Sequence, residues 1–316
     1  MGVRSRRHLR QDRRRRSRQG QTRQEVMLYP RLPGRGFRRE SFMPPLQGVG
    51  LGLRFPHLDD LLASDNPPPW IEVLADNYLS NDGVGHAKTD ELCAGVPTAL
   101  HCVGMSVAGS EPLDDGYLDR VSELAHRFNA QSVSDHLAFC RHGAAHLHDL
   151  LPVPYTPATL DYIARRVDYI QNRLERPLLL ENISCYVRSE NSSWRDLPFL
   201  SKLAALTGCG VLLDINNLYV NSVNFQDSLE TLTAEIPWSR VAQIHVAGCA
   251  DQGGWLLDTH EGTPKPPVMD LLALCARERP SAPVLLEWDQ NLPPLSELQG
   301  LRQRLQHHWL GARDAA

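Results

Sequence analysis

The stretch Pro177-Leu178-Leu179-Leu180-Glu181-Asn182 is a short apolar run that stops at a carboxylate. The same plan returns at Gly210–Asn217 (Gly-Val-Leu-Leu-Asp-Ile-Asn-Asn), at Val241–Gly248 (Val-Ala-Gln-Ile-His-Val-Ala-Gly) and at Pro283–Asp289 (Pro-Val-Leu-Leu-Glu-Trp-Asp). Each run is too short for a helix and rich in branched side chains, so it reads as a strand buried on both faces. The four runs end in Glu181, Asp214, His245 and Glu287. Three carboxylates and an imidazole at matching ends of parallel strands converge in space, as a metal site requires.

Four further strands are expected upstream, at Gly48–Leu53, Trp70–Ala75, Thr98–Gly104 and Gln131–His136. Apolar residues at helical spacing predict helices over Leu113–Asn129, Pro157–Glu175, Leu197–Thr207, Ser228–Glu235, Val268–Arg279 and Pro294–His308. The residues between His136 and Thr156 read as a long loop, in which His142, His146 and His148 form a solvated group. Eight strands separated mostly by helices predict an α/β fold, a (β/α)8 TIM-type barrel with its chemistry at the carboxyl ends of the strands. A doubly wound sheet is the competing architecture. Gly48, Gly50 and Gly52 alternate inside the first strand rather than following it, so they are a weak nucleotide signal.

Charge is unevenly spread. Residues 1–40 hold 14 of the 33 Lys and Arg and 3 of the 37 acids, a balance of +11 that leaves −15 on the remainder. Residues 1–42 lack periodicity and read as a disordered Arg-rich tail, with 43–310 as the catalytic barrel domain. Met27 and Met43 are alternative starts, which would place the tail outside the protein. An acidic folded part suits cations and argues against a nucleic-acid surface. No apolar run approaches the ~20 residues that span a bilayer. The seven cysteines show no CxxC spacing and read as reduced, buried thiols of a cytoplasmic protein.

In chain order the strand ends carry His57, Asp76 and Asn77, His101, Asp135 and His136, Glu181, Asp214 with Asn216 and Asn217, His245 and Glu287; Asp258-x-His260 follows the seventh strand. A lone strand-end Asp usually caps the next helix, but so many together exceed what capping needs. Carboxylates converging in a partly buried mouth repel one another, and Arg54 is the one basic residue at those ends. Divalent cations are the natural compensation. Imidazole and carboxylate without thiolate suit Fe or Mn, and Zn less specifically. So many donors fit two or three ions bridged by carboxylates.

With these residues in hand, the chain resembles the multinuclear non-haem iron-dependent oxidase family DUF692, which includes the methanobactin-biosynthesis oxidase. The matching stretches are Gly48–Arg54 with His57, Trp70-Ile-Glu-Val with Asn77-Tyr78, Leu100-His101, Ser134-Asp-His-Leu137, Asp149–Tyr155, Leu180-Glu-Asn182, Leu213–Asn217, Ile244–Gly248, Asp258-Thr-His260 and Leu286–Asp289. The resemblance implies a TIM-type barrel holding two or three irons (Fe2+/Fe3+). It also implies O2-dependent oxidation of a cysteine in a ribosomally made precursor peptide, to an oxazolone–thioamide or related product. A separate protein that presents the peptide is implied too. By the same resemblance His57, His101, Asp135, Glu181, Asp214, His245, Asp258, His260 and Glu287 are the metal-ligand candidates. Asp214, His245 and Glu287 are the catalytic candidates among them, and Asn77, His136, Asp149, Asn182 and Asn217 those for substrate contact. The family commonly has Glu where this chain has Asp76 and Asp135, which shortens each side chain by one methylene. The ligand series alone would also serve a metal hydrolase or isomerase of the apurinic-endonuclease or sugar-isomerase type, or a non-catalytic metal-binding protein.

Overall fold

The computed structural model describes Tyr29 and residues 45–80, 84–143 and 145–315. Eight parallel strands close into a barrel in which each pairs with its neighbours in sequence. They are β1 Val49–Gly52, β2 Ile71–Leu74, β3 Thr98–His101, β4 Val133–His136, β5 Leu178–Glu181, β6 Gly210–Asp214, β7 Val241–Val246 and β8 Val284–Leu286. Closure is made between β1 and β8, with Val49, Gly50 and Leu51 opposite Val284, Leu285 and Leu286. The helices are α1 Leu58–Leu62, α2 Val84–Gly95, α3 Asp115–Arg127, α4 Pro157–Leu174, α5 Asp196–Thr207, α6 Ile215–Asn224, α7 Leu229–Ala234, α8 Pro266–Glu278 and α9 Leu295–Asp314. The expected TIM-type barrel is therefore the observed one.

Pleat alternation sorts each strand into two faces. Leu178 and Leu180 of β5, Val211 and Leu213 of β6, and Ile244 and Val246 of β7 join the large core shared with the helices. Glu181, Asp214 and His245 have the opposite parity and turn into the lumen. The foot of the lumen is filled by Trp70, Ala99, Leu285 and Leu46. This explains Gly50 in β1: a Cβ there would sit 2.5 Å from the Trp70 ring. Gly50 thus makes room for an indole, while Gly48 and Gly52 lie against the Gln306 and Arg54 side chains.

Local signals place the helices. At α4, Thr156 and Thr159 form a reciprocal capping box, with Pro157 in the first turn. Helix α6 follows β6 with no intervening loop, and Asp214 ends the strand while accepting the Asn217 amide at 2.6 Å as its N-cap.

A hairpin and three helices differ from the expectation. The segment read as a long loop contains an antiparallel hairpin, Phe139–His142 with Ala145–Leu151. Its second strand is mostly solvent-exposed, so it lacks the apolar face that marks a strand in sequence. Helices α1, α2 and α6 were also not expected, α1 because five residues are too few to show a period, α2 because it is too polar to show an apolar stripe and α6 because no turn separates it from its strand. The tail of residues 1–42 lies outside the described residues apart from Tyr29. That ring is buried 4.7 Å from Tyr169 of α4, and its hydroxyl accepts the Leu113 amide. Among the described residues no helix is long and apolar enough to cross a membrane.

Candidate metal centre

Three groups of side chains meet at the carboxyl end of the barrel. In the first, His101 Nε2, His136 Nε2 and Glu181 Oε2 lie 3.3–3.5 Å from one another. The second is Glu181, Asp214 and His245, with His245 Nδ1 3.6 Å from Glu181 Oε1. The third is Asp214, His260 and Glu287, with Glu287 Oε2 3.3 Å from His260 Nδ1. Glu181 belongs to the first two groups and Asp214 to the last two. The groups thus form one chain linked by carboxylates.

Protein hydrogen bonds leave this chain unfinished. Glu181 Oε2, Asp214 Oδ2, His245 Nδ1, His260 Nε2 and Glu287 Oε2 are all buried and make no hydrogen bond. A buried, unsatisfied polar atom costs about 1–3 kcal/mol, and five cluster here. Each is an imidazole nitrogen or carboxylate oxygen, the donor type a divalent ion takes. The residues present therefore fit metal ions. The seven cysteines are free and buried, and none belongs to a group.

Burial and mutual charge shift every member. Burial alone would push Glu181 up, but His245 and His136 beside it hold its carboxyl down, to about 2. Glu287 is held well below the usual carboxylate range, its burial outweighed by His260 and His245. Burial opposes charge on His245 too, yet Glu72, Glu181 and Glu287 raise it well above the imidazole range, and Glu287 and Asp258 do the same for His260. Asp214 is raised by burial and then by Glu181. Arg54 lies 3.8 Å from Glu287 and bonds Asp289. Without metal, protons and this guanidinium balance the carboxylates.

The sign of the resulting pH dependence follows. Lowered carboxyls contribute stability that is complete above their ordinary value of 4.5 and is lost as pH falls toward about 2 for Glu181. Raised imidazoles contribute stability that is complete below 6.5 and is lost as pH rises through their folded values. Metal-free protein is therefore expected to melt highest between pH 4.5 and 6.5. Added divalent metal, replacing the imidazole protons, should extend the plateau to higher pH. Thermal melting from pH 4 to 9 with and without metal reads both effects.

The remaining sequence candidates fall in other places. Asp135 is in none of the groups: its Oδ2 accepts the Met105 amide at 3.0 Å and its Oδ1 the His136 amide at 2.5 Å. It shares the outward parity of Val133, whereas His136, expected to touch substrate, takes the lumen side. His57 is also in none, and its Nε2 lies 2.8 Å from the Pro293 carbonyl. Asp258 stands at the edge of the third group, 3.0 Å from His260 Nε2, and accepts from Ser184 and Asn216. Asn182 joins β5 to β6 through both Asp214 backbone groups, and Asn217 donates to the Asn182 carbonyl. Those two amides brace the frame. Asn77 and Asp149 are solvent-exposed, Asp149 on the hairpin. Asp76 accepts from the Val103 amide and the Tyr117 hydroxyl, outside the groups.

Glu72, which sequence reasoning missed, is 4 % exposed in β2 and touches His245 Nε2 at 3.1 Å. Its signal was available as a lone carboxylate inside an apolar four-residue strand.

The loop that brings His260 into place depends on Gly248. A Cβ there would lie 2.2 Å from the Glu261 carbonyl oxygen and 2.5 Å from that of Gly262. Gly248→Ala is expected to displace Asp258–Gly262, to cost about 1–3 kcal/mol in thermal melting, and to remove the metal equivalent of the third group in elemental analysis. His260 itself holds a left-handed backbone, φ 47°, a conformation that persists only where its surroundings impose it. Beside the mouth, Tyr186 and Trp255 are exposed and meet edge to face at 5.8 Å. A cavity of about 470 Å³ opens nearby, walled by Tyr155, Cys185, Val187 and Trp194.

A closed parallel barrel with clustered imidazoles and carboxylates at its carboxyl end defines a TIM-barrel protein equipped to bind metal. Solved structures of that shape share its fold at low identity. Endonuclease IV from Thermus thermophilus matches with a TM-score of 0.55 at 14% identity, over 84% of this chain and 99% of that one. D-psicose 3-epimerase from Clostridium cellulolyticum matches with 0.54 at 9%, over 85% and 98%. Sequence relatives are more specific. A UPF0276 protein of Anaeromyxobacter sp. is 38% identical over 82% of this chain and 91% of its own length, and one of Neisseria meningitidis serogroup B is 38% identical over 80% and 92%. Residues 48–309 match the family model described as RiPP precursor modification enzyme MbnB/TglH/ChrH. The chain belongs to this family.

Proposed function

We propose that the chain is an iron-dependent oxidase that uses O2 to modify a cysteine of a ribosomally made precursor peptide, giving an oxazolone–thioamide or related product. One observation carries the reading: three contiguous groups of nitrogen and oxygen donors, bridged by Glu181 and Asp214, contain no thiolate. Such a set suits two or three irons and leaves the soft ligand to come from the substrate.

His101, His136 and Glu181 would hold the first ion, Glu181, Asp214 and His245 the second, and Asp214, His260 and Glu287 the third. Bound iron would supply the one-electron and O2 chemistry that side chains lack. The protein does the rest. Glu287, at 7 % the least buried of the three carboxylates, faces the incoming thiol as a ligand rather than a base, and the thiol proton would leave to solvent as a bound cation stabilises the thiolate. Asp214, whose Oδ1 is tied to the Asn217 amide, would offer its free Oδ2 to the bound ions. The peptide meets Asn77 and Asp149 and the exposed Tyr186, Val187 and Trp255 around the mouth, and a second protein presents it. Residues 43–310 form the catalytic domain of a cytoplasmic enzyme in this reading.

Anaerobic reconstitution with Fe2+ tests it, followed by elemental analysis, Mössbauer spectroscopy and exposure to O2 with cysteine peptides encoded beside the gene. Two or three coupled irons and a peptide mass change are expected. Zinc alone, with no iron retained, would overturn the reading in favour of a metal hydrolase or isomerase.

A further inference from the structure

The geometry points to Glu72 as the positioning residue that decides which nitrogen of His245 faces the metal positions; this rests on the metal reading above. Glu72 lies in the lumen beneath the groups, with Oε1 3.1 Å and Oε2 3.2 Å from His245 Nε2. An ionised carboxylate only accepts hydrogen bonds. Carboxylates face both ring nitrogens of His245, so a cation taken up by Glu181 and Glu287 would displace the Nδ1 hydrogen, while the Nε2 hydrogen stays on Glu72; Gln243 Nε2, 3.2 Å from His245 Nε2, donates to Glu72 instead. Nδ1 is the nitrogen that stands 3.6 Å from Glu181 Oε1 and 3.2 Å from Glu287 Oε2.

Glu72 is itself held in register. Its Oε2 accepts from Gln243 Nε2 at 2.5 Å, and Gln243 Oε1 accepts from the Ser132 hydroxyl at 3.1 Å. The carboxylate fixes the amide, because turning it over would set Gln243 Oε1 against Glu72 Oε2, two acceptors with no hydrogen between them. The facing histidine is set the opposite way. His101 Nδ1 lies 2.8 Å from Ser134 Oγ, and that hydroxyl donates to the Leu100 carbonyl. Its remaining role is to accept, so His101 carries its hydrogen on Nδ1 and offers Nε2. Two imidazoles 5.4 Å apart thus present opposite nitrogens, one fixed by a carboxylate and one by a hydroxyl. The carboxylate also makes His245 the more basic ligand of the two.

Glu72→Gln removes this control. Two donors, Gln243 Nε2–H and His245 Nε2–H, would compete for one acceptor oxygen. If the new NH2 faces His245, the ring must move its hydrogen to Nδ1 and lose the ligand lone pair. Glu72→Asp keeps charge and acceptors about one methylene short.

Zinc is the probe, because it is diamagnetic. Full-length protein labelled with 15N-histidine and loaded with zinc is examined by long-range 1H–15N correlation, and zinc affinity is measured by competition with a chelator. Wild type is expected to coordinate through His245 Nδ1 and His101 Nε2. Glu72→Gln should lose roughly 10–100-fold in zinc affinity together with the His245 signature, and Glu72→Asp should recover part of both. Coordination of wild-type His245 through Nε2 would overturn the inference, as would a Gln variant matching wild type in affinity and signature. If the Gln variant does not fold, the wild-type spectrum decides alone. A wild type that takes up neither zinc nor iron fails differently: it removes the metal reading, and this inference with it.

Discussion

Glu181→Gln is expected to abolish activity and to leave at most one metal equivalent on the protein. Glu181 is 1 % exposed, and its two oxygens face different partners: Oε2 meets His101 and His136, Oε1 meets His245. Among the described residues no other joins the first group to the second. The glutamine keeps the shape but has one acceptor oxygen and no charge, so it cannot bridge two cations. It also turns an NH2 toward imidazole nitrogens that must remain free of hydrogen to act as ligands. The affinity loss should exceed the roughly 100-fold that removal of an outer hydrogen-bond partner costs. The third group shares no atom with Glu181, so an ion held by Asp214, His260 and Glu287 is the one expected to persist. Elemental analysis after anaerobic reconstitution reads the stoichiometry. Full metal content in this variant would mean that the bridging arrangement is not the one used.

That a single glutamate has two such partners was partly legible in the sequence. Pro177–Asn182 announces both a strand and a carboxylate at its end, and the repeat of that plan at Asp214, His245 and Glu287 assigns them one address at the barrel mouth. Short branched runs carry this information because strand length and end are local properties. Parity was legible as well, had it been followed through each strand: Glu181 has the parity of Leu179 and not of Leu180, and His136 that of Ser134 and not of Asp135. What could not be read was pairing across the lumen. Glu72 and His245 are 173 residues apart, and nothing local to either says that the barrel's curvature brings them together. The hairpin over residues 139–151 escaped for the opposite reason: its mostly exposed second strand gives burial nothing to imprint on the pattern.

The pleat argument leads to a paired test on adjacent residues. His136→Ala is expected to lose the ion of the first group, while Asp135→Asn keeps it with affinity reduced up to roughly tenfold. His136 Nε2 stands 3.4 Å from Glu181 Oε2 and 3.3 Å from His101 Nε2, and without it His101 and Glu181 alone remain. Two donors hold a divalent ion poorly against water. Asp135 has the outward parity and acts through its neighbour. It accepts the His136 amide and stands 3.5 Å from His136 Nδ1, so its loss loosens the ring without removing a donor. The Met105 amide it also holds should make the Asn variant less stable by about 1–2 kcal/mol, and His136→Ala, which removes a buried imidazole whose charged form Glu181 and Asp135 favour, should also melt below wild type without metal. Asp135→Glu, which lengthens the carboxylate by one methylene, is not expected to add a ligand here. A longer carboxylate on the outward face must find room in a site that is 1 % exposed, and overpacking of this kind costs about 1–3 kcal/mol. Metal stoichiometry and melting of the three variants side by side separate the roles. Loss of the first ion in Asp135→Asn with retention in His136→Ala would reverse the assignment and put the carboxylate, not the imidazole, in the lumen.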